Sequence, residues 1–273
     1  MSNNPNFIFL QQFIKEQTAI VIDLGKEYLI EARLGPVAKE LGFPSIDVLL
    51  EEVRIKQNDK LKTRVIDAIT TNETFFFRDI YPFDFLKNQA VLDVIEKKKS
   101  ERKLNIWCAA ASSGQEPYTI AMILKDYAAK LEGWTINFIA SDLSETMLEK
   151  AKLGMYNQLE INRGLPMPYL VKYFEKSGSS WQIKQEIRNM IKFQKINLKH
   201  AWQLARMDII FMRNVLIYFD LDTKKDIFKR LEFVLNPDGY LFLGGSETLL
   251  GISDNFERLK VEKTPCYQLK KKH

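Results

Sequence analysis

The chain predicts an α/β fold, a mostly parallel sheet wound by helices, and three observations carry that prediction. From Leu104 onward, apolar runs of strand type alternate with helical patterns. The first run, through Ile106 and Trp107, breaks into Ala109-Ala110-Ala111-Ser112-Ser113-Gly114 before a helix begins. The second run, Ile136 to Ala140, stops at an acid, Asp142. Strand, small-residue turn, helix, strand and acid in that order build a nucleoside pocket. The turn lets backbone approach a ligand closely, and the acid accepts ribose hydroxyls at the next strand's C-terminal end.

Glu116 narrows the ligand. A dinucleotide fold sets pyrophosphate on the helix N-terminus, where this carboxylate would repel it. Only Gly114 stands where G-x-G-x-x-G needs three glycines. Asp142 follows Gly114 by 28 residues, against about 20 in a dinucleotide site. S-adenosylmethionine suits the pattern better, having a ribose and an ammonium and no phosphate.

Residues 1–70 read as a helical domain. Ser45 can cap a helix that carries Ile46, Leu49, Leu50 and Val53 at helical spacing. Asn58 or Asp59 can cap another, with Leu61, Val65 and Ile69 on one face and Lys60 and Arg64 on a different one. Gly25, Gly35-Pro36 and Gly42-Phe43-Pro44 punctuate the domain. Residues 71–103 form a connector, TNETFFFRD at 71–79, and a helix from about Phe83 to Lys97. The remainder, 104–273, reads as an α/β domain with strands at 104–109, 136–140, 191–195, 208–212, 240–244 and 265–270. Asp238-Gly239 turns the chain into the fifth of these. Between Gly154 and Lys195 the alternation fails. Pro166 and Pro168 stop any long helix, and Trp181, Ile183 and Ile187 suggest short strands. That segment, about 157–196, reads as a small antiparallel β insertion.

Composition excludes several classes. The 273 residues are 46% hydrophobic and 27% charged, enough for one sizeable core plus a smaller one and against disorder. No apolar run approaches 18 residues, so no membrane insertion is expected. MSNNPNFIFL has no basic region ahead of its apolar residues, which argues against a secretory signal and for the cytoplasm. Cys108 and Cys266 sit in strand-like runs and read as buried free thiols. With two histidines and no Cys-x-x-Cys, no metal site is expected. The net charge of +5 is modest. Arg54, Lys56, Lys60, Lys62 and Arg64 nevertheless cluster, and a second excess runs from Arg163 to Arg206. Each is either a solvated face or a docking surface for an acidic partner.

Five segments together resemble the chemotaxis receptor glutamate methyltransferases, the CheR family. They are NETFFFR (72–78), AAASSGQEPYTIAM (109–122), ASDLSETMLEKAKLGMY (140–156), RNVLIYF (213–219) and GYLFLGGSE (239–247). The resemblance covers nearly the whole chain. It implies a class I S-adenosylmethionine-dependent methyltransferase, a Rossmann-like sheet with an antiparallel edge strand, plus an all-α N-terminal domain and a β insertion. By resemblance Asn72, Thr74 and Arg78 line the cofactor and substrate site. Ala110, Gly114, Glu116 and Asp142 hold the cofactor. Asn197 and Leu198 meet its adenine side, and Met212 and Arg213 complete the pocket. Arg78 and Tyr218 are the positions placed beside the transferred methyl. Gln115 departs from a frequent acid. The loop Ser177–Ser180 is shorter than the one that accompanies recruitment through a receptor's C-terminal peptide in the family.

The implied reaction forms a glutamate methyl ester. A glutamate of pKa about 4.3 is already ionised at neutral pH, so the site needs alignment and water exclusion but no general base. The implied partners are acidic cytoplasmic helices of chemotaxis receptors, met by the basic helix at 54–64, with no nucleic acid and the enzyme a monomer. Two alternatives stay open from sequence: a nucleic-acid methyltransferase, although Arg213-Asn214-Val215-Leu216 stands where a Pro-Pro-aromatic loop would hold a flipped base, and a non-catalytic cofactor- or receptor-binding module.

Overall fold

The computed structural model describes residues 5–23, 25–56 and 58–271. Four helices open the chain: α1 (Pro5–Thr18), α2 (Glu27–Glu40), α3 (Ile46–Ile55) and α4 (Asp59–Ile69). Ser45 Oγ accepts from the Val48 N–H at 3.3 Å, and Asn58 Oδ1 from the Leu61 N–H at 3.2 Å. Both caps therefore sit where sequence puts them. Leu10, Ile14, Leu34, Leu49, Val53, Leu61 and Val65 form a core belonging to these helices. Gly35-Pro36 departs from expectation. Both residues lie inside α2, which buries Leu34 and Ala38 on either side of them. That burial outweighs the loss of one helical hydrogen bond at Pro36.

The strands are β1 (Lys103–Ala109), β2 (Thr135–Asp142), β3 (Met155–Asn157), β4 (Phe174–Ser177), β5 (Ser180–Ile183), β6 (Lys192–Lys195), β7 (Met207–Met212), β8 (Leu235–Phe242), β9 (Phe256–Arg258) and β10 (Cys266–Leu269). Seven form one sheet in the order β6-β2-β1-β7-β8-β10-β9. Pairing is parallel from β6 to β8 and antiparallel at β10 and β9. The antiparallel edge thus has two strands, the outermost being the three-residue β9. Alternation divides β1 and β7 between two cores. Leu104, Ile106, Cys108, Ile209 and Phe211 face one. Trp107, Ala109, Ile210 and Met212 face the other.

Three local readings need correction. The segment over 81–97 is interrupted: Tyr81–Phe85 and Val91–Lys97 are α-helical and Leu86–Ala90 between them is a π-helical turn. Asp238-Gly239 does not precede β8 but lies within it. Leu235 pairs with Met207 and Tyr240 with Ile209, so the intervening residues bulge out. In the insertion, β3, β5 and β4 make a separate antiparallel sheet. Ile187 belongs to the short helix Gln185–Arg188, because its side chain is fully buried in the main core. Residues 192–195 leave the insertion to become the parallel edge strand beside β2.

Candidate active site

A pocket opens at the C-terminal ends of β1, β2, β6 and β7, where strand order reverses between β1 and β7. Such switch points are where open α/β sheets bind ligands. The cavity is enclosed by the sheet ends, the 70–78 connector and the end of α1. Thr18 at the end of α1 and Ile20 just beyond it contribute. The Val21 N–H donates to the Tyr218 carbonyl at 2.9 Å and Ile20 bridges Phe219, which closes the helical domain onto this wall.

Asp142 ends β2 and is 8% exposed. Its Oδ2 accepts from the Ser112 N–H at 2.7 Å and its Oδ1 from the Ser144 N–H at 2.9 Å. Burial pushes its carboxyl above the usual range, and the N–H groups of Ser144, Ser112 and Leu143 pull back without cancelling that. Each oxygen takes one backbone donor and keeps acceptor capacity, which is what two ribose hydroxyls require. Ser144 in turn caps the helix Glu145–Leu153. Helix support and pocket lining are therefore properties of one carboxylate. Ala110 (φ 53°) and Ser112 (φ 49°) hold the β1 turn in left-handed backbone, and Ser112 Oγ donates to the Asn72 carbonyl at 2.8 Å, tying the connector to that turn.

Glu116 is not a free carboxylate. Arg213 donates to it at 2.5 Å and to Asp79 at 2.7 Å, and also bonds the Arg78 carbonyl at 3.0 Å. Cys108 Sγ approaches the other Glu116 oxygen at 3.4 Å, and burial pushes that thiol's pKa well up. The carboxylate that sequence reads as attracting an ammonium is thus already engaged by a cation. Two carboxylates share one guanidinium, Glu116 in the pocket lining and Asp79 outside it. Asp79 carries no periodic or spacing signal, and sequence reasoning missed it.

Of the residues predicted from sequence, Asn72, Thr74, Arg78, Ala110, Glu116, Asp142, Asn197, Leu198, Arg213 and Tyr218 line the pocket. Gly114 and Met212 do not. Gly114 has φ 96°, and a Cβ there would stand 2.9 Å from the Ala151 Cβ, so glycine is needed for the turn and for close helix approach. Met212 is fully buried in the opposite core by strand alternation. The Asn197 side chain is committed elsewhere, donating to the Gln17 carbonyl at 2.7 Å and accepting from the Lys199 N–H at 2.9 Å. Arg78 makes no ion pair among the described residues. It donates to the Glu73 carbonyl at 3.0 Å and lies over the Phe75 ring. The Tyr218 hydroxyl has no hydrogen-bond partner among them. The lining that sequence missed includes Thr70, Leu143, Ile196, Asn214 and Phe219. Leu143, Asn214 and Phe219 lie inside segments already singled out, and Thr70 and Ile196 directly flank the connector and a strand end.

The basic cluster is not one helix. Arg54 lies in the last turn of α3, Lys56 follows it, and Asn58 starts α4, which carries Lys60, Lys62 and Arg64. Lys56 pairs with Glu52 at 2.6 Å and Arg64 with Glu40 at 2.7 Å. Among the described residues no group of three His, Cys, Asp or Glu side chains could hold a metal, and no helix is long and apolar enough to cross a membrane.

Residues 72–264 match the family model for the CheR methyltransferase SAM binding domain, and residues 5–70 match the CheR methyltransferase all-alpha domain. The chain is 38% identical over 274 residues to chemotaxis protein methyltransferase Cher2 of Pseudomonas putida, covering 98% of this chain and 99% of that one. It is 38% identical over 272 residues to chemotaxis protein methyltransferase 1 of Pseudomonas aeruginosa, covering 98% of each. It is 37% identical over 263 residues to the chemotaxis protein methyltransferase of Vibrio parahaemolyticus, covering 95% of this chain and 94% of that one.

Proposed function

This chain belongs to the CheR methyltransferase family, and from that premise we propose that it methylates glutamate side chains of chemotaxis receptors, forming methyl esters. The observation that carries the reading is Asp142. It is a buried carboxylate at the pocket, each oxygen of which holds one backbone donor and keeps room for another. The rest of the donor set fits S-adenosylmethionine. Ile20, Ile196, Leu198 and Phe219 offer apolar surface for a base. The buried Arg213 Nε has no partner among the described residues and suits a carboxylate, while the Glu116 carboxylate in the lining suits an ammonium.

When bound, that cofactor supplies a methyl group on a sulfonium. Arg78, free of any carboxylate among the described residues, orients the substrate carboxylate through its forked donors. The receptor glutamate would arrive ionised, so no residue has to take a proton, and the bound cofactor would supply the methyl that its carboxylate oxygen accepts. Tyr218 lines the same wall with an unpartnered hydroxyl, which can hold that oxygen in line. Alignment of this kind supplies several kcal/mol, up to roughly 7–11. The helical domain contributes the Thr18–Ile20 wall and, on α3 and α4, a positive face suited to acidic receptor helices. The protein works as a cytoplasmic monomer in this reading.

The test is incubation with methyl-labelled S-adenosylmethionine and a receptor cytoplasmic fragment. Alkali-labile label on the receptor is expected. Label confined to nucleic acid, or base-stable label on protein, would overturn the ester chemistry.

A further inference from the structure

No residue of the GYLFLGGSE segment lines the pocket, yet Glu247 is 6% exposed just behind it. Its two oxygens accept four backbone N–H groups. Val215 and Leu216 donate to Oε1 at 2.9 and 2.7 Å, and Asn214 and Gly244 to Oε2 at 2.9 and 2.6 Å. Among the described residues it has no cationic partner. A buried charge persists only when its lone pairs are satisfied, and four converging donors require a group that accepts everywhere and donates nowhere. Of the neutral and charged side chains of this length, only ionised glutamate meets that need.

Three of those donors are consecutive, at the entry to the 3-10 turn Leu216–Tyr218, where N–H groups have no partner within the turn. Asn214 is held at φ 58°, a left-handed conformation that costs energy in a residue with a side chain. Gly244 makes room for the arrangement. A Cβ there would lie 2.8 Å from Glu247 Oε2 and 2.9 Å from the Asn214 nitrogen. The loop leaves β7 through Arg213 and ends at Tyr218, whose carbonyl is held by Val21. It is thus clamped at its start by Glu247 and at its end by the helical domain.

We propose that Glu247 is a positioning residue for methyl transfer: its carboxylate sets the 214–216 backbone and, through it, the aim of Arg213 and Tyr218. The proposal rests on the reaction assigned above. Asp142 and residues 196–198 lie on other strand ends, so the ribose contact does not depend on this loop.

The experiment compares full-length wild type, Glu247→Gln and Gly244→Ala by hydrogen–deuterium exchange and by steady-state methylation of a receptor fragment. Glutamine puts an amide N–H against backbone N–H groups, and alanine pushes a methyl against the carboxylate. Expected are faster exchange confined to 213–219, kcat lower by about 10- to 100-fold, as misplacement of reacting groups by an ångström gives, and KM for S-adenosylmethionine within about threefold. Unchanged kcat with a loosened loop would overturn the proposal. So would a loss of kcat that only tracks a chain-wide rise in exchange. If Glu247→Gln does not fold, Gly244→Ala decides by the same criteria. If wild type esterifies no receptor fragment, the assigned reaction falls instead. Exchange alone then judges the loop: faster in 213–219 of Glu247→Gln upholds its setting by Glu247, and unchanged exchange there overturns it.

Discussion

Arg213 and Glu116, 97 residues apart, meet at 2.5 Å as an ion pair whose side chains are 1% and 10% exposed. Removing one partner of such a pair leaves the other charged and dry, a loss of about 3–5 kcal/mol, whereas replacing both by apolar groups is often near neutral. Arg213→Leu should therefore lower stability by about that amount, and the Arg213→Leu/Glu116→Leu double variant should recover most of it. Asp79, the other carboxylate on Arg213, is 47% exposed on its side chain and returns to water without much cost. Urea midpoints of the two single variants and the double variant measure the coupling. A double variant no more stable than Arg213→Leu would contradict the pairing.

Asp142 makes cofactor affinity depend on pH in a definite direction. Burial first, against the opposing Ser144, Ser112 and Leu143 N–H groups, raises its folded carboxyl pKa, whereas the unfolded chain titrates near about 3.9. Between the two values the folded state binds more protons. The stability contributed by this group is then full below the unfolded pKa and lost as pH rises through the folded one. Binding runs the other way, because ribose hydroxyls need the ionised acceptor. Calorimetry with S-adenosylhomocysteine should show affinity falling on acidification before a free aspartate would titrate. Asp142→Asn should bind about 10-fold or more weakly at neutral pH, the loss of a charge-assisted contact, and should lose that pH dependence. The same slope in the variant would assign it to another group.

A second carboxylate, at the surface, acts on the fold. Asp126, the last residue of the helix Gln115–Asp126, accepts from Lys87, Lys172, Tyr169 and Tyr173 at 2.9–3.1 Å. It joins the 81–97 segment to the helix that precedes β4. Burial raises its pKa, but the hydrogen bonds from Lys172, Lys87, Tyr169 and Tyr173 outweigh that and leave it lowered. A lowered folded pKa contributes stability above the unfolded value, lost as pH falls through the folded one. Asp126→Ala should cost about 1 kcal/mol at pH 7, since its partners are solvent-screened, with the gap to wild type closing under acid. Denaturation at several pH values reads this directly, and a gap constant with pH would mean that the charge is not responsible.

What could be read from the chain was what is local. Apolar runs bounded by turns and helices revealed six main-sheet strands, because central parallel strands such as β1 and β7 are buried on both faces. Ser45 and Asn58 were readable as caps because capping spans three residues. Asp142 was readable because strand ends and ribose acids have a fixed order. The rest depends on topology. Asp79, Glu116 and Arg213 come from three distant segments, and no window of sequence contains their meeting. The direction of the Met212 side chain is not legible locally, because a strand's last residue faces either layer, and alternation from Ile210 sends it to the core. The π-turn at Leu86–Ala90 and the three-residue β9 leave no periodic trace long enough to count.

The basic side chains of the helical domain divide by pairing. Lys56 and Arg64 are answered by Glu52 and Glu40, while Arg54, Lys60 and Lys62 have no ion-pair partner among the described residues. An acidic receptor helix is attracted by uncompensated charge, so Arg54→Glu, Lys60→Glu and Lys62→Glu should each lower kcat/KM for receptor more than Arg64→Gln does. Long-range attraction between exposed charges is screened over about 10 Å at 0.1 M salt, so the differences should shrink as salt rises. Affinity for S-adenosylhomocysteine should stay at the wild-type value, because none of these side chains lines the pocket. Methylation assays at two ionic strengths, paired with calorimetry, test it. Equal losses from all four changes would point to a general charge effect. No loss from the three unpaired positions would move the receptor contact off this face.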